Sequence, residues 1–314
     1  MTVRSVPRRR FALATAGATI VVVAIYGLFV LTEPGQRLEN LALMGAQLRR
    51  DAVREGSLGY LSQVSIVSYT AAILGLVTVA FVRRRIGLGA LVGLAMGGSV
   101  VFAELLKELL PRPELVSGPA WILRNDFPSG HATVAASIGI GALLVAPDRL
   151  RWVVLPVGAV FAAVIGQSSQ ITGWHRMSSA AGGVALVVAA ACAALVLLDR
   201  RGYVQPSLQG RVHPRLRAAI LVVPAVAFVV AAAALALLVA FPLLQVPRDA
   251  DSVFLHTVFE LLGFGITIVA FVAFAGLIEP FSLGRFERER PAAVGPPTAE
   301  VDVIDDDPEA AEDD

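Results

Sequence analysis

Runs of twenty or more apolar residues recur along this chain, and short arginine clusters fence them off from one another. Such a run reaches about 30 Å as a helix at about 1.5 Å per residue, the thickness of a bilayer's hydrocarbon core. Inside a bilayer no water satisfies backbone N–H and C=O groups, so only helices and closed barrels span it, and runs this long select helices. Composition agrees: of 314 residues 56% are hydrophobic, and mean hydropathy is +0.72. The expected fold class is therefore all-α, a polytopic membrane helical bundle. A net charge of +1 selects no partner and gives no reason to expect nucleic acid. The single cysteine, Cys192, lies inside an apolar run and is expected to be buried filler. Every cation but Lys107 is arginine, a bias that suggests GC-rich coding and a bacterial source.

Taken in order, Arg8, Arg9 and Arg10 precede an apolar run from Phe11 to Leu31, so residues 1–10 are expected in the cytoplasm. The same arginines resemble a twin-arginine signal, but the run is longer than an ordinary signal core, which favours an uncleaved first helix. Residues 33–60 predict an interfacial helix with Leu38, Leu41, Ala42, Gly45, Leu48 and Ala52 on one face. Glu39, Asn40, Gln47, Arg50 and Asp51 fall on the other. Further spans are predicted at Leu61–Val82, Ile86–Leu110, Ser129–Ala146, Trp152–Trp174 and from His175 to Leu198. After a cytoplasmic linker, 199–217, come two more at Ala218–Phe241 and Val253–Ile278, the extension 218–280. Residues 281–314, rich in proline and acid, predict a disordered cytoplasmic tail. Arginines cluster at alternate turns, so both termini fall inside the cell.

By the same parity three polar stretches share the outer face. In Phe127-Pro128-Ser129-Gly130-His131, Pro128 suits a helix entry, Ser129 can cap, and Gly130 lets a ligand reach the backbone. Unpaired N–H groups at that start make an anion site, and His131 can hand a proton to a leaving oxygen. Lys107 and Arg112 offer an ammonium and a forked guanidinium, a sensible phosphate clamp. The turn 168–179 adds a second imidazole, His175, so one histidine can be nucleophile and the other acid. A metal site is not expected, since no cysteine or carboxylate stands at ligand spacing. His256 and Glu260, four residues apart, form one competing pair, for which a helix–helix hydrogen bond is the expected role.

These residues resemble the type 2 phosphatidic acid phosphatases, membrane lipid phosphatases related to vanadium haloperoxidases. That family carries a lysine followed after six residues by Arg-Pro, then Pro-Ser-Gly-His, then Ser-Arg, five residues, His, three residues and Asp. The second motif is complete here as residues 128–131. In the first, four residues separate Lys107 from Arg112. In the third, Ser168 and His175 match, while Ser169 stands for the arginine and Ser179 for the aspartate; Arg176 supplies a cation after the histidine.

The resemblance implies a six-helix core over residues 11–198. It also implies a metal-independent hydrolase of lipid phosphates or pyrophosphates with no cofactor, acting on the outer leaflet. His175 would attack phosphorus and His131 would protonate the leaving group. Lys107, Arg112, Ser129, Gly130 and Arg176 would hold the phosphate oxygens, and Ser179 would orient His175 unless Asp126 or Glu104 reaches the ring. A relative that binds lipid phosphates without turnover, and a lipid transporter, are the alternatives. The identity of the lipid and the oligomeric state are left open by these residues.

Overall fold

A computed structural model describes residues 5–48, 51–207 and 249–284, with isolated positions between 218 and 233. Most of the run at Ala218–Phe241, the greater part of the 199–217 linker and the tail beyond Gly284 lie outside the described residues. The fold is nearly all helical. Among the described residues five helices are long and apolar enough to cross a membrane: Pro7–Val30, Ile86–Leu109, Asp148–Ile171, Met177–Arg200 and Ser252–Ile278.

The first is α1 (Ser5–Ile25), continued by a π-helical turn over Tyr26–Val30. The residues expected to form one interfacial helix divide into α2 (Glu33–Gln47) and α3 (Asp51–Ser62). Thr32 starts α2 by accepting from Gly35 N–H, with Pro34 just inside. Helix α3 leads into α4 (Ile66–Val82) with a bend of 50°, and Ser65 and Ser68 cap each other at the break. Then follow α5 (Ile86–Leu109), a single turn α6 (Ala120–Leu123), α7 (Gly130–Val145), α8 (Arg151–Ile171), α9 (Met177–Arg200) and α10 (Asp249–Ile278).

Helix α1 lies along α9, α7 packs between α8 and α9, and α10 covers α2, α8 and α9. Their shared core joins Leu88, Val92 and Met96 of α5 to Ile140 and Leu143 of α7, Val184 and Leu195 of α9, and Phe271 and Phe274 of α10. Cys192 is fully buried there.

Two features depart from the all-α expectation. Residues Val204–Pro206 and Phe281–Leu283 form an antiparallel pair, β1 and β2, which ties the end of α9 to the end of α10. The segment from residue 281 thus begins as a paired strand. Arg151 donates to the carbonyls of Ile278 (3.1 Å) and Phe281 (2.7 Å), and Asp148 accepts from Ser207 and Ser282, so this end of the bundle is laced by side chains. The candidate site lies at the opposite end, where α5 finishes and α7 and α9 begin.

Candidate active site

The start of α7 is fixed from three sides. Ser129 Oγ accepts from Ala132 N–H at 3.3 Å, the cap expected from sequence, and Ser129 N–H donates to Ser179 O at 2.9 Å. The Phe127–Pro128 peptide is cis. Helix α9 approaches this turn through Gly182 and Gly183, where an added methyl group would stand 2.4 Å from the Phe127 ring and 2.9 Å from Ser129 O. Ser129 is fully buried, and its hydroxyl is engaged in the cap.

The second histidine is set by the turn between α8 and α9. Gly173 ends α8 at a φ of 71°, a left-handed conformation that residues with a side chain rarely adopt. Trp174 and His175 N–H then fold back onto Ser169 O, at 3.0 and 3.1 Å. The His131 and His175 rings come to 6.0 Å between centroids, with Trp174 against His131 at 5.5 Å. The sequence pairing of the two imidazoles is thus met in space.

Asp126 stands behind His175. Its backbone oxygen lies 3.3 Å from Nδ1 and its Oδ2 lies 3.8 Å away. A proton on Nδ1 is held by that carbonyl, which leaves the Nε2 lone pair as the nucleophilic one. Burial pushes the His175 pKa down to about 4 against the pull of Asp126, so the ring is neutral at pH 7. Burial alone would raise Asp126, but the Arg176 guanidinium and then His175 outweigh it and hold the carboxyl below its ordinary range.

Arg176 and Ser179 are placed otherwise than expected. Arg176 is 4% exposed; its Nη1 meets Asp126 Oδ1 at 2.7 Å, its backbone N–H meets Asp126 Oδ2 at 2.8 Å, and its Nη2 reaches Asn40 Oδ1 and Ile122 O. Both terminal nitrogens are engaged and Nη1 anchors Asp126, while Nε is buried with no hydrogen-bond partner. Ser179 is fully buried and its Oγ has no hydrogen-bond partner among the described residues, so it does not orient His175. Asp126 takes that position from a loop 49 residues upstream.

Lys107 reaches the start of α7, where a methyl group on Gly130 would stand 3.8 Å from its Nζ and 2.6 Å from Glu104 Oε1. Asn125 holds the end of α5 in place by donating to Lys107 O and Leu110 O. Arg112 Nη2 donates to Asn40 Oδ1 at 3.3 Å, the same oxygen that receives Arg176, while its Nη1 is buried with no hydrogen-bond partner. A buried donor without a partner is costly unless something else satisfies it, which suits an anion ligand.

The polar face of α2 was expected at the membrane surface, and here the structure differs most. Gln36, Glu39 and Asn40 are buried, with Gln36 on the carbonyls of Val30 and Pro113 and Asn40 between Arg112 and Arg176, while Gln47 of the same face is exposed. Glu39 accepts from Ser178 N–H and Oγ–H, both at 2.8 Å, which places a carboxylate on the positive N-terminus of α9. Burial pushes its pKa up to about 7, against the opposing pull of Arg176 and Ser178. Sequence reasoning missed this contribution because the face reads as ordinary amphipathicity. The signal available was three uncharged or acidic amide and carboxyl side chains within five residues.

His256 and Glu260 contact each other along α10, Nε2 to Oε1 at 2.7 Å. Among the described residues no group of three or more His, Cys, Asp or Glu is placed to hold a metal ion. An apolar cavity of about 590 Å³ runs between α1, α5 and α9 below the site, with Leu110, Phe127 and Tyr26 at its head and Leu94 and Leu197 further down.

No protein-family model matches this chain, and neither a curated protein nor a solved structure matches it.

Proposed function

We propose that the chain is a phosphatase of lipid phosphates or pyrophosphates that works through a phosphohistidine and acts at the outer face of a bacterial cytoplasmic membrane. In this arrangement α1, α4, α5, α7, α8 and α9 form the six-helix core, and α10 belongs to the C-terminal extension. Both termini lie inside. Helix α7 is about 24 Å long and mostly buried by its neighbours, so it need not face lipid along its length.

The observation that carries the reading is the Asp126–His175–His131 array facing Lys107 at one end of the bundle. Histidine 175 attacks through Nε2; its N–P bond forms as the P–O bond to the lipid breaks, and the electron pair leaves with that oxygen. The fraction of His131 that carries a proton gives it to the leaving oxygen. Asp126 stabilises the imidazolium that phosphorylation of His175 creates. In the second step water attacks phosphorus, the N–P pair returns to Nε2, and His131 takes the proton. Lys107, Arg112 and the first N–H groups of α7 face the charge that develops on the phosphoryl oxygens.

The apolar cavity favours a lipid over a soluble ester. Its head is formed by Phe127 and Leu110, next to the phosphate-facing residues, so a chain lying there would present its headgroup to Lys107. Asp126 behind His175 supports turnover over binding alone. The deciding experiment is release of inorganic phosphate by purified protein from phosphatidic acid, phosphatidylglycerol phosphate and polyprenyl pyrophosphate, with EDTA present. Release from at least one is expected; none from any would end the proposal.

A further inference from the structure

Glu104 sits one turn before Lys107 on α5, and both of its oxygens contact the ammonium, at 2.9 and 2.8 Å. The same carboxylate presses on the start of α7, where Oε1 comes so near that a methyl group on Gly130 would stand 2.6 Å from it. A carboxylate is thus held between a cation and a helix N-terminus, the two features that would bind a phosphoryl group there. The two partners differ in freedom. The Glu104 side chain is 55% exposed and the Lys107 side chain 22%, so the acid can swing out to water while the lysine stays.

We propose that Glu104 is an internal competitor for this anion position and that it sets which phosphates are admitted. The inference rests on the lipid phosphatase reading above. A phosphomonoester brings up to two charges and three free oxygens and outbids one exposed carboxylate. A phosphodiester headgroup brings a single charge and two free oxygens, no more than Glu104 already supplies, and is left outside. An enzyme embedded in a bilayer of phosphodiester lipids gains from that sorting, because those lipids would otherwise fill its site.

The test compares the full-length protein with Glu104→Gln and Glu104→Ala, both at a half-exposed position where folding is little at stake. Hydrolysis of a short-chain phosphatidic acid in neutral detergent micelles is measured with and without phosphatidylglycerol, a diester. Removal of the carboxylate should lower KM by about three- to tenfold, the size of one exposed charge pair at a helix terminus. It should also make phosphatidylglycerol a competitive inhibitor where the parent protein ignores it. An unchanged or raised KM in both variants overturns the proposal and leaves Glu104 as a residue that orients Lys107. If the parent protein hydrolyses no monoester, the phosphatase reading fails by itself, and calorimetry with inorganic phosphate then decides this one. Tighter binding in Glu104→Gln and weaker binding in Lys107→Ala sustain it; equal binding in all three proteins overturns it.

Discussion

Asp126 and His175 meet across a gap of 49 residues, with the Asp126 backbone oxygen 3.3 Å and its Oδ2 3.8 Å from His175 Nδ1. The carboxylate is held by Arg176, the residue next to the histidine, through one side-chain and one backbone hydrogen bond. In the family that this sequence resembles, a carboxylate follows the histidine by four positions. Here the carboxylate behind the ring comes from the loop before α7, and Arg176, next to the histidine, holds it there. A buried carboxylate without a partner would be protonated or excluded; paired with Arg176 it stays ionised.

Replacing Asp126 by asparagine should therefore lower kcat by about 10²- to 10⁴-fold with little change in KM, the pattern of a lost charge behind a catalytic imidazole. The change also strands Arg176, at a cost of about 3–5 kcal/mol for a broken buried pair. Thermal unfolding of the variant in detergent is the companion measurement. A folded Asp126→Asn protein with unchanged kcat would remove Asp126 from the mechanism.

The two histidines should separate by leaving group. His175→Ala is expected to lose turnover by about 10³-fold or more on every substrate, since no covalent intermediate forms. His131→Ala should be crippled on alkyl phosphates but recover much of its first step on p-nitrophenyl phosphate, whose leaving group needs no acid. Equal losses for both variants on both substrates would contradict the division of labour.

Length and hydropathy made part of the bundle legible: among the described residues five helices are long and apolar enough to span, the run at Ile86–Leu110 ends within one residue of α5, and Ser129 caps α7 as expected, while the run expected at Leu61–Val82 is broken between 62 and 66 and α7 is shorter than those five. The convergence of Lys107, His131 and His175 on one end followed from parity alone. What was not legible depends on packing between distant segments. Glu39 and Asn40 read as a wet face until Ser178, Arg112 and Arg176 close over them, and Asp126, one of two carboxylates the sequence offered for the ring, is singled out only when the loop before α7 meets a turn 49 positions later. The strands at 204–206 and 281–283 are too short to show a period, and each exists only because the other is beside it.

Sidedness can be read with cysteines. Ser117 lies in the exposed loop between α5 and α6 and Arg201 is exposed just past α9, at opposite ends of the bundle, while native Cys192 is buried and should stay silent. In intact cells a membrane-impermeant maleimide should label Ser117→Cys and spare Arg201→Cys until the membrane is opened. The reverse pattern would put the site in the cytoplasm.

Glu39 gives the fold a pH dependence whose sign follows from burial. Its pKa is raised from 4.5 to about 7, so the folded state holds a proton that the unfolded chain has already lost over that interval. The stabilisation that goes with this proton is complete below pH 4.5 and is lost as pH rises through 7, on the order of 3 kcal/mol in all. Unfolding temperatures in detergent should fall between pH 5 and pH 8 for the natural protein and fall less for Glu39→Gln. Parallel curves for the two proteins would mean that Glu39 is ionised throughout.

Ser179 is the sharpest discriminator, because sequence and structure forecast opposite outcomes for it. If position 179 were where His175 needs its carboxylate, Ser179→Asp would restore a missing charge and speed turnover. In the structure that place is filled by Asp126, and Ser179 is fully buried with an unpartnered hydroxyl one residue beyond Ser178, which Glu39 already holds. A third carboxylate there would be desolvated among Asp126 and Glu39 with only Arg176 to share. Ser179→Asp should therefore lose stability and turnover together. Ser179→Ala removes a buried hydroxyl that makes no hydrogen bond, so it should keep kcat within about twofold and hold or gain about 1 kcal/mol of stability. Faster hydrolysis by Ser179→Asp, measured beside the alanine variant, would restore position 179 as the orienting site and remove Asp126 from it.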